Sequence, residues 1–225
     1  IRHYYMKRLF NFFSVLTFTT SVMASVIGSE ISYRPLYADS TVYEIQIKLY
    51  RECRGLKLDN INSSTSIRCA GGSTSTNLSP TLVSVREITS YSGNTGNCNP
   101  PNSNMTGPGV EEIIFKDTVD FSTSPFSSYA SCNEVLIEYG TCCRNSNINT
   151  GAANTTYYNN ASLFLGNFKQ NTSTVFQSHP LLSAPINLPI HYVNRVKESD
   201  GDSISYRMIA PQTNATSSAS FTGGL

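Results

Sequence analysis

Six cysteines and one run of alternating carboxylates are the residues of this sequence best suited to chemistry. The cysteines are Cys53, Cys69, Cys98, Cys132, Cys142 and Cys143, the last two adjacent in YGTCCRN. The carboxylates are Glu198, Asp200 and Asp202, in ESDGD. Thiols ligate metals, attack electrophiles or pair as disulfides, and carboxylates at alternate positions can converge oxygens on a hard cation.

For the cysteines, context decides between these chemistries. A zinc site favours Cys-x-x-Cys pairs or neighbouring histidines, and neither occurs, since His179 and His191 sit in a different part of the chain from the cysteines. A thiol nucleophile would need one of those histidines as base, brought to it across the fold. No Gly-x-Ser-x-Gly elbow, His-Glu-x-x-His helix, phosphate loop or dinucleotide fingerprint is present, and the expected chain is non-enzymatic.

The stretch MKRLFNFFSVLTFTTSVMAS favours disulfides. It has a basic start at Lys7 and Arg8, an apolar run from Leu9 to Met23 and small residues around Ala24, the pattern of a secretory signal peptide cleaved after Ala24. Residues 1–24, including the five before Met6, are therefore set aside, and no membrane span is expected in the mature chain. An even number of cysteines in an exported chain is read first as a disulfide framework.

The elements that position these residues are strands. A composition rich in Ser, Thr, Asn, Gly and Tyr, without Trp, suits exposed β-structure with many turns. In TVYEIQIKLYREC, Tyr43, Ile45, Ile47 and Leu49 share one face, and Cys53 has their parity. In EVLIEYGTCC, Val135, Ile137, Tyr139, Thr141 and Cys143 share one face while Leu136, Glu138, Gly140 and Cys142 share the other.

Strand parity therefore sends Cys142 and Cys143 to different partners. Cys143 and the equally core-facing Cys53 then form one candidate bridge among 15 connectivities, with Cys142 free to tether a loop through Cys98 or Cys132. A direct Cys142–Cys143 bond is disfavoured, because its small ring forces the joining peptide away from planar trans.

Strands are expected near 42–53, 82–89, 110–121, 134–144 and 157–168, with further ones in the polar stretches. Residues 91–109 are turn chemistry around Cys98. No helical period persists, and the fold class is all-β: an antiparallel β-sandwich of Ig-like or PKD-like architecture over 29–178. Pro180 and Pro185 mark a stiff connection to an incomplete second β module of the same kind, 179–225. His179 reads as a solvated linker residue and His191 as a structural histidine in a strand.

Around Glu198, Asp200 and Asp202 two readings compete: a calcium loop, or an Asp-Gly turn with solvated carboxylates. An EF-hand is excluded, since Ser203 and Ile209 stand where its Gly and Glu belong. No other cofactor is implied. The net charge of +1, without a basic cluster beyond Lys7-Arg8, offers no phosphate-tracking surface, which excludes nucleic acid as the expected partner.

IQIKLYRECRG, VLIEYGTCCRN and ESDGDSISYRMI, in this order and spacing, resemble the N-terminal module of large secreted Bacteroidetes surface proteins, with CCRN the most specific element. Those proteins carry PKD-like or cadherin-like repeats or a gliding-motility-associated C-terminal domain. The resemblance implies a secreted or outer-membrane-surface β-module with a structural or adhesive role, meeting a surface polymer, a glycan or a neighbouring cell-surface protein. The family opens its acidic turn with Asp-Pro-Asp-Gly-Asp where this chain reads Glu198-Ser199-Asp200-Gly201-Asp202, so a calcium role does not carry over with it. The competing expectation is a carbohydrate-binding accessory module of a secreted hydrolase, a reading that thirteen tyrosines favour and the lack of Trp weakens.

Overall fold

Alternation in Val42–Glu52 (β2) puts Tyr43, Ile45, Ile47 and Leu49 on one side of the strand, all almost fully buried. Antiparallel pairing sets Ile47 opposite Phe115, Leu49 opposite Ile113 and Tyr43 opposite Val119, so the apolar positions of two strands make one continuous face. A computed structural model carries this description through residues 26–38, 40–55, 57–89, 98, 109–145, 148, 151–165, 170–180 and 187–220. The expected signal peptide at 1–24 and most of the loop around Cys98 lie outside the described residues.

The remaining strands in chain order are Val26–Pro35 (β1), Thr65–Cys69 (β3), Ser75–Asn77 (β4), Thr81–Glu87 (β5), Val110–Asp120 (β6), Glu134–Thr141 (β7), Tyr157–Phe164 (β8), Val175–Phe176 (β9) and Val196–Lys197 (β10). They form three antiparallel sheets, ordered β1-β2-β6-β5, β4-β3-β7-β8 and β10-β9. The two four-stranded sheets pack as a sandwich. Ile67 opposite Ile137 and Val135 opposite Leu163 supply the inner face of the second sheet and join one buried cluster with Ile47, Leu49, Ile113 and Phe115. Each such side chain, fully removed from water, contributes about 1.5–3 kcal/mol.

Five of these strands fall where periodicity places them. β1, β3 and β4 were not located in advance, because GSEISYRP and TSIRC mix small polar residues with few apolar ones, and their register comes from β2 and β7.

The outer face of the first sheet is covered in part by later chain. His179 brings Nδ1 to 3.6 Å from Glu112 Oε2, and Arg86 donates to Glu112 Oε1 at 2.9 Å. His179 is thus docked on β6 rather than solvated: Glu112 projects outward from β6 and supplies a carboxylate. β9 and β10, on either side of position 179, pair through Phe176–Val196 and Val175–Lys197.

Beyond β10 the chain adds two isolated bridges, Tyr158 to Gln212 and Gln212 to Ser218. Ile190 and Tyr192, like Tyr206 and Met208, stay exposed although they alternate as strand residues do. His191, expected in a strand, lies between β9 and β10 outside any strand and is exposed.

Candidate functional site

The two long-range cystines clamp the sandwich at strand ends. Cys53 directly follows β2 and bonds Cys98, with Cα atoms 5.2 Å apart. Cys69 ends β3 and bonds Cys132, just ahead of β7, at a Cα separation of 5.7 Å. The third bridge joins Cys142 to Cys143. This corrects the expectation that these two would go to different partners, Cys143 to Cys53 and Cys142 to Cys98 or Cys132.

The physical reason is that β7 ends at Thr141, so strand parity no longer governs the residues after it. The peptide between the two cysteines is cis, and their Cα atoms are 3.0 Å apart. Immediately after, the Arg144 guanidinium lies 5.0 Å from the Tyr157 ring centroid and donates to the Gln212 carbonyl at 2.7 Å. CCRN therefore ties the end of β7 to β8 and to the chain near residue 212.

Beneath the Cys53–Cys98 clamp lies an ion pair that the sequence reading missed. Arg51 and Glu111 face each other across β2 and β6 with both side chains fully buried. Arg51 donates through Nε and Nη2 to Glu111 Oε2 and through Nη1 to the Gly55 carbonyl. The signal was available: Arg51 has the parity of Tyr43, Ile45, Ile47 and Leu49, and Glu111 that of Ile113 and Phe115. Gly109 closes the same corner. A Cβ there would stand 2.6 Å from Cys53 Sγ and 3.1 Å from Cys98 Sγ, at a φ of +155°.

The acidic turn does not gather its carboxylates. Glu198 accepts the backbone N–H groups of Asp200, Gly201 and Asp202 at 2.8, 2.6 and 2.8 Å. These bonds, the one from Asp200 foremost, hold its carboxyl below the usual range. Asp200 turns instead to the Thr172 N–H. Among the described residues no group of three or more His, Cys, Asp or Glu side chains is arranged around a metal position.

What the turn does is form the rim of a cleft of about 510 Å³ at the seam where β1 and β8, edge strands of the two sheets, meet. Its floor is pinned by Asn159, whose amide donates to Ser29 Oγ at 2.9 Å and to the Ser29 carbonyl at 3.1 Å. One wall is residues 171–176, laid against β1: the Ser173 N–H donates to the Tyr33 carbonyl, and the Tyr33 N–H donates to Ser173 Oγ. Tyr33 itself donates its hydroxyl to the Ser162 carbonyl on β8, and burial pushes that hydroxyl up to about 12. The rest of the lining is mostly Ser, Thr and Asn, with Glu30, the aliphatic Ile31, Ala161 and Val175, the half-exposed ring of Phe176, and Glu198, Asp202 and Ser203 at the rim.

Fold and site together define an antiparallel β-sandwich clamped by cystines, with a polar cleft along one seam. Comparison of the chain with protein-family models, with curated proteins and with solved structures gives no match. Among the described residues no helix is long and apolar enough to cross a membrane.

Proposed function

We propose that the chain is a non-enzymatic, secreted or cell-surface structural and adhesive β-module, of the kind found at the N-terminus of large Bacteroidetes surface proteins. The observation that carries this reading is the pairing of all six cysteines, two of the bridges closing 45 and 63 residues of chain. Such bridges persist in oxidising compartments and stabilise a domain that meets no chaperone once exported. The cleft at the β1–β8 seam favours a second reading, the carbohydrate-binding accessory module, because it offers uncharged hydrogen-bonding side chains beside an aromatic ring.

The test is export of the protein with its own leader, followed by non-reducing peptide mapping and by retention on intact cells and insoluble polysaccharides. Three bridges and retention on a surface are the expected results. Free thiols in the exported protein, or no retention on any cell or polymer, would overturn the proposal.

A further inference from the structure

The contents of the cleft narrow what could occupy it. Its volume of about 510 Å³ falls within the range of roughly 300–1,000 Å³ typical of small-ligand sites. Such sites are mostly apolar, whereas this one is lined chiefly by hydroxyl and amide side chains. No Lys or Arg is among its lining residues, but three carboxylates are. An anionic ligand would meet Glu198 and Asp202 with no cation among the lining residues to offset them.

Two of the three carboxylates are already engaged. Glu30 accepts Lys48 Nζ at 2.8 Å and the Tyr50 hydroxyl, and Glu198 caps its own turn. Asp202 makes no side-chain hydrogen bond or ion pair among the described residues and remains as a strong acceptor at the rim. Asn160 on β8, whose Nδ2 also donates to the Tyr158 hydroxyl at 3.4 Å, and Thr174 on the opposite wall add uncharged donors and acceptors, and Phe176 presents an apolar face.

A peptide added as a strand is disfavoured, because the chain's own segments already bond the flanking strands. Ser173 is hydrogen-bonded to Tyr33 on β1, and Gln212 bridges Tyr158 on β8. The ligand must therefore be read through side chains, carry many hydroxyls and no negative charge, and offer an apolar patch to a ring.

From this we infer that the β1–β8 cleft binds a neutral saccharide, stacked on Phe176 and hydrogen-bonded by Asp202, Asn160 and Thr174. Those four residues line the cleft from β8, from the wall at 171–176 and from the acidic turn, which gives residues 198–203 a role that needs no cation. The inference rests on the proposed reading of the chain as a surface-contact module, structural and adhesive, and specifies its ligand class.

The experiment is calorimetric titration of the full chain with soluble gluco-, manno- and xylo-oligosaccharides, with oligogalacturonate as the anionic control. Phe176→Ala and Asn160→Ala are titrated in parallel, and each is checked by its thermal transition and peptide map. We expect at least one neutral series to bind, to be weakened about tenfold or more by each substitution, and to release the protein from insoluble polymer.

Two variants guard against local unfolding at either position, since Phe176 sits in β9 and Asn160 in β8. Binding that survives both substitutions, preference for oligogalacturonate, or no binding by any neutral series would overturn the inference. Protein that clings to cells or polymer yet ignores neutral oligosaccharides refutes the cleft assignment and leaves the contact-module reading standing. Loss of all surface retention refutes that reading itself.

Discussion

The three cystines are expected to differ sharply in what they contribute to stability, and the difference follows from chain length alone. A cross-link stabilises chiefly by restricting the unfolded chain, by an amount that grows with the logarithm of the segment closed. Cys53–Cys98 and Cys69–Cys132 span 45 and 63 residues, which corresponds to about 4 kcal/mol each at 25 °C. Cys142–Cys143 has a sequence separation of 1, closes no segment, and is expected to contribute less than about 1 kcal/mol by this route. The assay is urea unfolding of three double variants, Cys53→Ala/Cys98→Ala, Cys69→Ala/Cys132→Ala and Cys142→Ala/Cys143→Ala. With a urea slope of about 2 kcal/mol/M, the first two lose about 2 M in midpoint and the third stays near the parent. The slope itself should rise in the first two, because an unlinked unfolded chain exposes more surface. The reasoning is refuted if all three pairs cost the same, or if the two long-range pairs cost less than about 1 kcal/mol.

Arg51→Met alone should destabilise by about 3–5 kcal/mol, since it leaves Glu111 buried and uncompensated, while the double variant Arg51→Met/Glu111→Met should recover much of that loss; urea midpoints decide it. Gly109→Ala should prevent closure of Cys53–Cys98, because its Cβ would collide with both sulfurs, and thiol titration of the unfolded variant should then find two free cysteines. At alkaline pH the chain should lose stability as tyrosines titrate. Tyr33 and Tyr158 are both raised to about 12, by burial in each case, with the hydrogen bond to Glu138 adding to it at Tyr158. A folded value above the unfolded value of 10.0 means that their contribution is complete below pH 10 and disappears by about pH 12. Tyrosinate absorbance followed together with unfolding tests this, and tyrosines that ionise near pH 10 in the still-folded protein would contradict it.

How far the sequence was legible varies with how local the signal was. β2, β6 and β7 were visible because one face of each is buried and the other polar, so a period of two is written into Tyr43–Leu49, Ile113–Phe121 and Val135–Tyr139. β1 was obscured because Ser29, Glu30 and Ser32 carry little apolar contrast and sit at the seam rather than over the core. Parity also explains the error at Cys142 and Cys143. It holds only while a strand continues, and β7 stops one residue before the pair. Arg51 and Glu111 went unread for a different reason: their inward parity is visible in each strand, but neither strand alone shows the opposite charge that lies across the sheet.

What the sequence by itself determined is the all-β class, the inner faces of the main strands and the number of cysteines available for bridging. Each depends on residue type and on spacings of one or two positions, which short-range sterics and burial read directly. Only the tertiary structure decided which cysteines met, that Arg51 found Glu111 across 60 residues, and that residues 29–33, 159–162, 171–176 and 198–203 enclose one cleft. Those outcomes depend on the packing of segments remote in sequence, and a pattern confined to one strand carries no record of what lies opposite it.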